Sequence, residues 1–363
     1  MNPVKLLTLP YRYKPWHPRH LRLIVADLFG QARQTEHDHM THLRAAIEWL
    51  CRAQDVRDDH ADSGGVSAGW SFEDGWLPSY PETSGYIVET FIAASNHLDD
   101  LDLRRRANRI IDWELSIQHP DGAFPGHFGE PGSRPVIFNT GQIMHGLLAG
   151  YTQLAWALLA VGLMSGESEF KRAAIRNLDW ALSQQKVSGW FATNTFTPDR
   201  TPFTHTIAYA IRGFLESGVL LGDDRYVRAA SKAAIALADV QRHDGWLAGT
   251  YDDNWVPRAS YCCLTGMAQM SLNWIRLAQT CKSLDLKEAV RCTIGYLKRN
   301  HRINDHDLAV KGGIAGSAPI WGRYSMFEYP NWAAKFFADA LIMDMTDTAI
   351  PPVLELANDA ISG

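Results

Sequence analysis

The chain has 363 residues, of which 46% are hydrophobic and 21% charged, with a formal net charge of −5. This composition excludes intrinsic disorder, collagen and coiled coil, and the missing basic excess argues against nucleic acid as a main partner. The length exceeds that at which one compact core stops growing, so two domains or a single ring of repeats is expected.

Taken in chain order, residues 1–18 read as an extended arm whose short apolar patch is broken by Pro10 and lacks a signal-peptide pattern. A helix from His20 to Gly30 is expected to pair with a last helix over Pro351–Ile361. His37-x-His39-x-x-His42 opens the first amphipathic helix and reads as surface histidines rather than a metal site. That helix runs through Ala46-Ile47-Glu48-Trp49 to Gln54. Asp58-Asp59-His60-Ala61-Asp62 matches a metal–diphosphate pattern, but its place in a polar loop reads as a solvated turn. Asp74-Gly75-Trp76 then leads into Tyr80-Pro81-Glu82-Thr83-Ser84-Gly85, the start of a mostly apolar helix.

The cycle recurs. Asp99-Asp100-Leu101-Asp102 opens a charged helix, where acids suit the dipole, and Ile111-Asp112-Trp113 leads to Gln118-His119-Pro120-Asp121-Gly122. Phe138-Asn139-Thr140-Gly141-Gln142 starts the next apolar helix. The uncharged stretch from Asn139 to Gly166 is long enough for a membrane span, but Tyr151-Thr152-Gln153 and its place in the repeat make it a buried helix. Leu178-Asp179-Trp180 leads to Gln185, Ser188-Gly189-Trp190 and the helix start His205-Thr206-Ile207-Ala208. Gln241-Arg242-His243-Asp244-Gly245-Trp246 precedes Cys263-Leu264-Thr265-Gly266, and Asn300 precedes Tyr329-Pro330-Asn331-Trp332. The markers Gln54, Gln118, Gln185, Gln241 and Asn300 lie 56 to 67 residues apart. The unit is a hairpin of one outer, amphipathic helix and one inner, buried helix, and five are visible. The expected fold is therefore an all-α toroid, (α/α)6, forming one domain over residues 1–363.

The five cysteines are odd in number and lack framework spacing, which predicts reduced thiols and a cytoplasmic protein. Cys262-Cys263 has no Cys-His-Gly to complete a zinc site. No metal, cofactor or transmembrane segment is expected.

The Gln-x-x-Asp-Gly turns and inner-helix starts resemble the α/α-toroid superfamily, which includes squalene-cyclase and prenyltransferase-like folds and six-hairpin glycosidases. More narrowly, three segments resemble toroid proteins of bacterial exopolysaccharide gene clusters. These are Ser79-Tyr80-Pro81-Glu82-Thr83-Ser84-Gly85-Tyr86, Cys263-Leu264-Thr265-Gly266-x-Ala268-Gln269 and Tyr329-Pro330-Asn331-Trp332-Ala333-x-Lys335-Phe336-Phe337. The likeness runs from about Trp49 to Leu341 and implies a polysaccharide context, while one fold hosts many reactions.

In such a toroid the loops before the inner helices form a cup at one rim. Its candidate residues are Tyr80, Glu82, Asn139, Gln142, His205, Arg258, Tyr261, Glu328, Tyr329 and Asn331, with the acids Asp252 and Asp253. Aromatic residues on the same loops are Trp70, Trp76, Trp190, Trp255, Trp321 and Tyr324. Acids, a histidine, an arginine and many rings suit a polysaccharide or oligosaccharide partner. Glu82 and Glu328 are the first candidates for a general acid and base of glycoside cleavage, although Ser79-x-x-Glu82 also fits a capping box. A rival is a uronate lyase or C5-epimerase, with His205 or Tyr261 as base and Arg258 neutralising a carboxylate. A non-catalytic glycan-binding or assembly protein and, more distantly, a terpenoid cyclase-like enzyme complete the alternatives.

Overall fold

A computed structural model describes residues 9–30, 35–126, 128, 133–135, 168–192, 194–195, 200–281 and 284–346. The expected segment Asn139–Gly166 and the last helix, Pro351–Ile361, lie outside these residues. In chain order the helices are α1 (Pro18–Leu28), α2 (His39–Asp55), α3 (Pro81–Leu98), α4 (Asp102–Ile117), α5 (Ser168–Ser183), α6 (Thr204–Leu221), α7 (Asp224–Asp239), α8 (Leu264–Thr280), α9 (Lys287–Arg299) and α10 (Asn331–Thr346). The short strands are β1 (Gly69–Ser71), β2 (Gly75–Trp76), β3 (Cys262–Cys263), β4 (Ser317–Ala318) and β5 (Glu328–Pro330). Among the described residues no helix is long and apolar enough to cross a membrane.

Two burial patterns divide the helices. α7 buries one stripe, Tyr226, Ala229, Ala230, Ala233, Ala234 and Leu237, at the three- and four-residue steps of an amphipathic helix. α8 is buried at every position from Leu264 to Leu277, which is possible only for a helix enclosed by others. The inner helices α3, α10, α8 and α6 pack side by side in that order, and α4, α2, α9 and α7 back them from outside. The first outer helix, α2, thus docks on the last described inner helix, α10. The architecture is the all-α toroid of helical hairpins, and among the described residues no sheet forms a core.

The hairpin differs in phase from the sequence unit. The strongly packed pairs are an inner helix and the outer helix that follows it, α3 with α4 and α6 with α7, joined by tight connections. Asp99 and Gly222 end the inner helices in the left-handed conformation, which reverses the chain within three residues. The long loops with the repeated glutamine instead carry the chain from an outer helix to the next inner one.

The repeated glutamine has a mechanical explanation. Gln54 Nε2 donates to the Gly64 carbonyl and to the Arg106 carbonyl of α4. Gln185 Nε2 does the same to Gly189 and to Ala229 of α7, and Gln241 reaches Ala289 of α9. Each side chain therefore ties its own loop to the neighbouring outer helix. At Gly64, Gly189 and Gly245 the turn glycine lies against that same helix. Gly245 has φ +88°, and a Cβ there would sit 2.0 Å from the Cys292 carbonyl oxygen. Gly122 has φ +88° as well, with nothing within 4 Å of the corresponding point. Gly122→Ala should lower stability by about 1–2 kcal/mol through backbone strain alone, and Gly245→Ala by about 2–4 kcal/mol, because a collision is added. Denaturant midpoints measure both, and equal losses would refute the brace.

Two local expectations are corrected. Residues 9–13 are helical rather than extended, because Lys14 N–H closes a turn on Pro10 and Tyr13 docks on Phe327 with ring centroids 4.9 Å apart. His42 is not at the surface: it is fully buried, with its Nδ1 2.8 Å from Nδ1 of His301. His39 meets Asp344 at 2.9 Å. Among the described residues no group of three or more His, Cys, Asp or Glu side chains could hold a metal ion. All five thiols are free, with Cys262 and Cys263 buried.

Candidate functional site

The predicted residues separate into groups. The first gathers at the starts of α3, α6 and α10. Tyr80 is the extended residue that caps α3, and Pro81 takes the first helical position, where its missing N–H is harmless. The expected capping box does not form. Ser79 instead donates its hydroxyl to the Asp62 carbonyl, and its N–H goes to the Asp62 carboxylate. Glu82 is therefore released from capping, and one of its oxygens accepts the Tyr80 hydroxyl at 2.7 Å.

Burial pushes the Glu82 carboxyl above the usual range, and the Tyr80 hydrogen bond offsets this only in part. Desolvation wins because, among the described residues, no cation faces the carboxyl to favour its charged form. Around it lie Tyr86, one helical turn deeper on α3, and Tyr209 on α6, whose hydroxyl shares hydrogen bonds with Tyr86 and Gln269. Their phenols are raised by burial and stay protonated.

His205 lies one turn above Tyr209, the ring centroids 4.6 Å apart. Its Nδ1 is 2.8 Å from Oε1 of Gln269. An amide oxygen only accepts, so Nδ1 carries the proton and Nε2 presents a lone pair. Burial lowers this histidine to about 4, so the ring is neutral at physiological pH. Tyr324 packs on His205 at 5.1 Å, and its hydroxyl accepts from Trp332 Nε1 at 2.9 Å. Trp332 in turn reaches the Tyr80 ring at 6.4 Å. Among the described residues this cluster at the expected cup holds one carboxyl group, four phenols and a neutral imidazole.

Below this cup the inner helices are locked by charge. Lys335 Nζ lies 2.5 Å from Asp339, over the Tyr86 and Phe336 rings at 5.2 and 4.8 Å. Asp339 also accepts the Thr90 hydroxyl of α3 at 2.8 Å.

Glu328 does not join Glu82. It is in β5, paired with Ser71 of β1, and faces Arg12, Glu73 and Asp74. Burial raises its carboxyl too, while Ser325 and Arg12 oppose the shift. A strand alternates its faces, so the next residue, Tyr329, turns into the core beside Trp70 and Arg302. Asn331 is likewise internal: its Nδ2 holds the Ser67 carbonyl and the Thr83 hydroxyl, both at 2.9 Å.

Arg258, Tyr261 and Trp321 form a separate pocket on the rim, described below. Other candidates build loops. Asp252 accepts from the N–H groups of Asn254 and Val256 and from Arg258, and Asp253 pairs with Lys186 at 2.6 Å. Trp255 donates Nε1 to the Ser188 carbonyl at 2.8 Å. Trp190 lies under the Lys186 ammonium, and Trp76 packs on Trp49. Asn139 and Gln142 lie outside the described residues.

Sequence reasoning missed Tyr86, Tyr209, Gln269 and Trp332. A usable signal existed: Tyr86 and Tyr209 follow Glu82 and His205 by four residues, the spacing of one helix face.

No protein-family profile matches the chain, and no curated protein matches it in sequence. Solved structures do match in shape. The unsaturated glucuronyl hydrolase of Bacillus sp. GL1 superposes with a TM-score of 0.61 at 15% identity, covering 85% of this chain and 97% of that one. A mutant unsaturated glucuronyl hydrolase of Streptcoccus agalactiae, complexed with dGlcA-GalNAc6S, gives 0.60 at 12% identity, over 86% and 92%. A possible GH105-family member from Salmonella enterica gives 0.59 at 10% identity, over 85% and 96%. These likenesses establish the (α/α)6 fold.

Proposed function

We propose that the chain is a glycoside hydrolase-type enzyme that releases an unsaturated uronyl residue from an oligosaccharide fragment of a bacterial polysaccharide, with Glu82 as its acid. The observation that carries this reading is the isolation of Glu82. It is the one carboxyl among the described residues in a cup of phenols, its proton is held by burial, and its expected partner Glu328 faces elsewhere. Ordinary glycoside cleavage needs two carboxyl groups across the bond. An unsaturated uronyl sugar needs one, because its C4–C5 double bond is an enol ether.

A proton from Glu82 to C4 leaves positive charge at C5 shared with the ring oxygen. Water then adds at C5 and returns a proton to the carboxylate. The hemiketal opens, and C1, left with a hydroxyl and the second sugar's oxygen, collapses to an aldehyde and frees that sugar. One water is consumed and Glu82 is regenerated. Tyr80 orients the acid, and Gln269 fixes the neutral His205 ring nearby. The glucuronyl hydrolases that share the fold support the choice of substrate class.

Three substrates test the proposal: an unsaturated uronyl disaccharide, a saturated uronate polymer and a neutral oligosaccharide. Ultraviolet absorbance of the double bond and new reducing ends are read together. The expected result is loss of absorbance with sugar release from the first alone. A rise in absorbance on the uronate polymer would mean β-elimination, and reducing ends from the neutral chain would mean paired-acid hydrolysis; either would overturn it.

A further inference from the structure

A cavity of about 660 Å³ opens on the rim beside α6, between the loops that precede α6, α8 and α10. It falls within the range of small-molecule sites. Its wall carries three arginines, Arg200, Arg258 and Arg323, and among the described residues no carboxylate lines it. Arg258 is already engaged by Asp252 at 2.6 Å. Arg200 and Arg323 are exposed and form no ion pair among the described residues. The floor is rigid: Tyr261 is wedged between Gly249 and Gly322, where a Cβ would come within 2.4 and 2.7 Å of its ring. The Tyr261 oxygen also accepts the Arg323 backbone N–H. Thr195, Thr201 and Ser260 add hydroxyls. Trp321, 36% exposed, lines this cavity and the smaller one next to it, so its ring stands between the two.

We infer that this pocket is a subsite for an anionic sugar unit, a uronate carboxylate or a sulfate ester, gripped by Arg200 and Arg323 while the sugar ring lies on Trp321. The inference rests on the proposed function and specifies its substrate as multiply charged. Guanidinium groups match planar and tetrahedral oxyanions through paired N–H donors, and Arg200 and Arg323 pair with no carboxylate among the described residues. Phe203 lines the pocket and contacts Tyr324 at 5.3 Å, and Tyr324 contacts His205. Those rings place the pocket next to the cluster around Glu82.

Binding is measured by titration calorimetry with three saturated trimers, which lack the double bond and are not consumed. They are a hexuronate trimer, its full methyl ester and a sulfated neutral trimer. A charge-assisted grip predicts that at least one charged trimer binds roughly tenfold or more tighter than the ester, with an advantage that shrinks as salt rises. The Arg200→Gln/Arg323→Gln double variant should lose the preference. Both side chains are exposed, so the fold is expected to survive, which a thermal melt verifies. Equal binding of the ester and both charged trimers, or a preference retained in the double variant, would overturn the inference. The two readings fail separately: preference without cleavage refutes only the hydrolase, and cleavage without preference refutes only the subsite.

Discussion

Glu82→Gln is expected to lower kcat by roughly 10²–10⁴-fold, the usual worth of a positioned general acid, while KM changes little. The substitution keeps the shape of the side chain and an oxygen that can still accept from Tyr80, and removes only the transferable proton. Because burial holds the Glu82 proton above the ordinary carboxyl range, the active form is the protonated one, and kcat should fall as pH rises through the raised value. The same shift has a stability consequence. The folded state binds this proton more tightly than the unfolded state, so stability is lost as pH climbs from the ordinary carboxyl value through the raised one. Glu82→Gln should therefore melt no lower than the wild type at neutral pH while being nearly inactive. A variant that is both inactive and strongly destabilised would make Glu82 a structural residue.

Asp339→Ala is expected to destabilise the protein by about 3–5 kcal/mol, the usual penalty for leaving a buried charge without its partner. Lys335 is almost fully buried on the same face of α10, and its ammonium would then rest on the Tyr86 and Phe336 rings alone. The Thr90 hydroxyl would also lose its acceptor, loosening α3 against α10 beneath the cup. Replacing both charges together, as Lys335→Met/Asp339→Leu, should recover much of the loss, since a matched apolar pair avoids the desolvation of two ions. Denaturant unfolding of the three proteins decides the matter. A loss below about 1 kcal/mol for Asp339→Ala, the size of an exposed pair, would contradict the lock.

Most of the fold was legible because its repeat is written in side chains with one geometric task. Gln54, Gln185 and Gln241 each reach the next outer helix, and a glycine in the left-handed region closes each turn, so the spacing is visible in the sequence. The phase of the hairpins was not legible. Tight connections such as Asp99–Leu101 carry no long motif, whereas the long loops that join different pairs carry all the recurring residues. The short strands were too brief for any alternation to show, and β5 decides the site. Its pairing with Ser71 sends Glu328 to the Arg12 side and Tyr329 into the core, so adjacency to an inner-helix start did not mean membership of the cup. Glu82 was legible as a candidate acid, but what frees it from capping lies in Asp62. That residue sits 17 positions before Ser79 and takes its N–H.

The most direct measurement is cleavage of an unsaturated uronyl disaccharide in deuterium oxide by the wild type and Glu82→Gln, with the released uronate read by mass spectrometry. Protonation of C4 by Glu82 predicts one carbon-bound deuteron in the wild-type product and almost no product from the variant. Release without carbon-bound deuterium, or at an unchanged rate in Glu82→Gln, would contradict the assignment of Glu82 as the acid that protonates carbon.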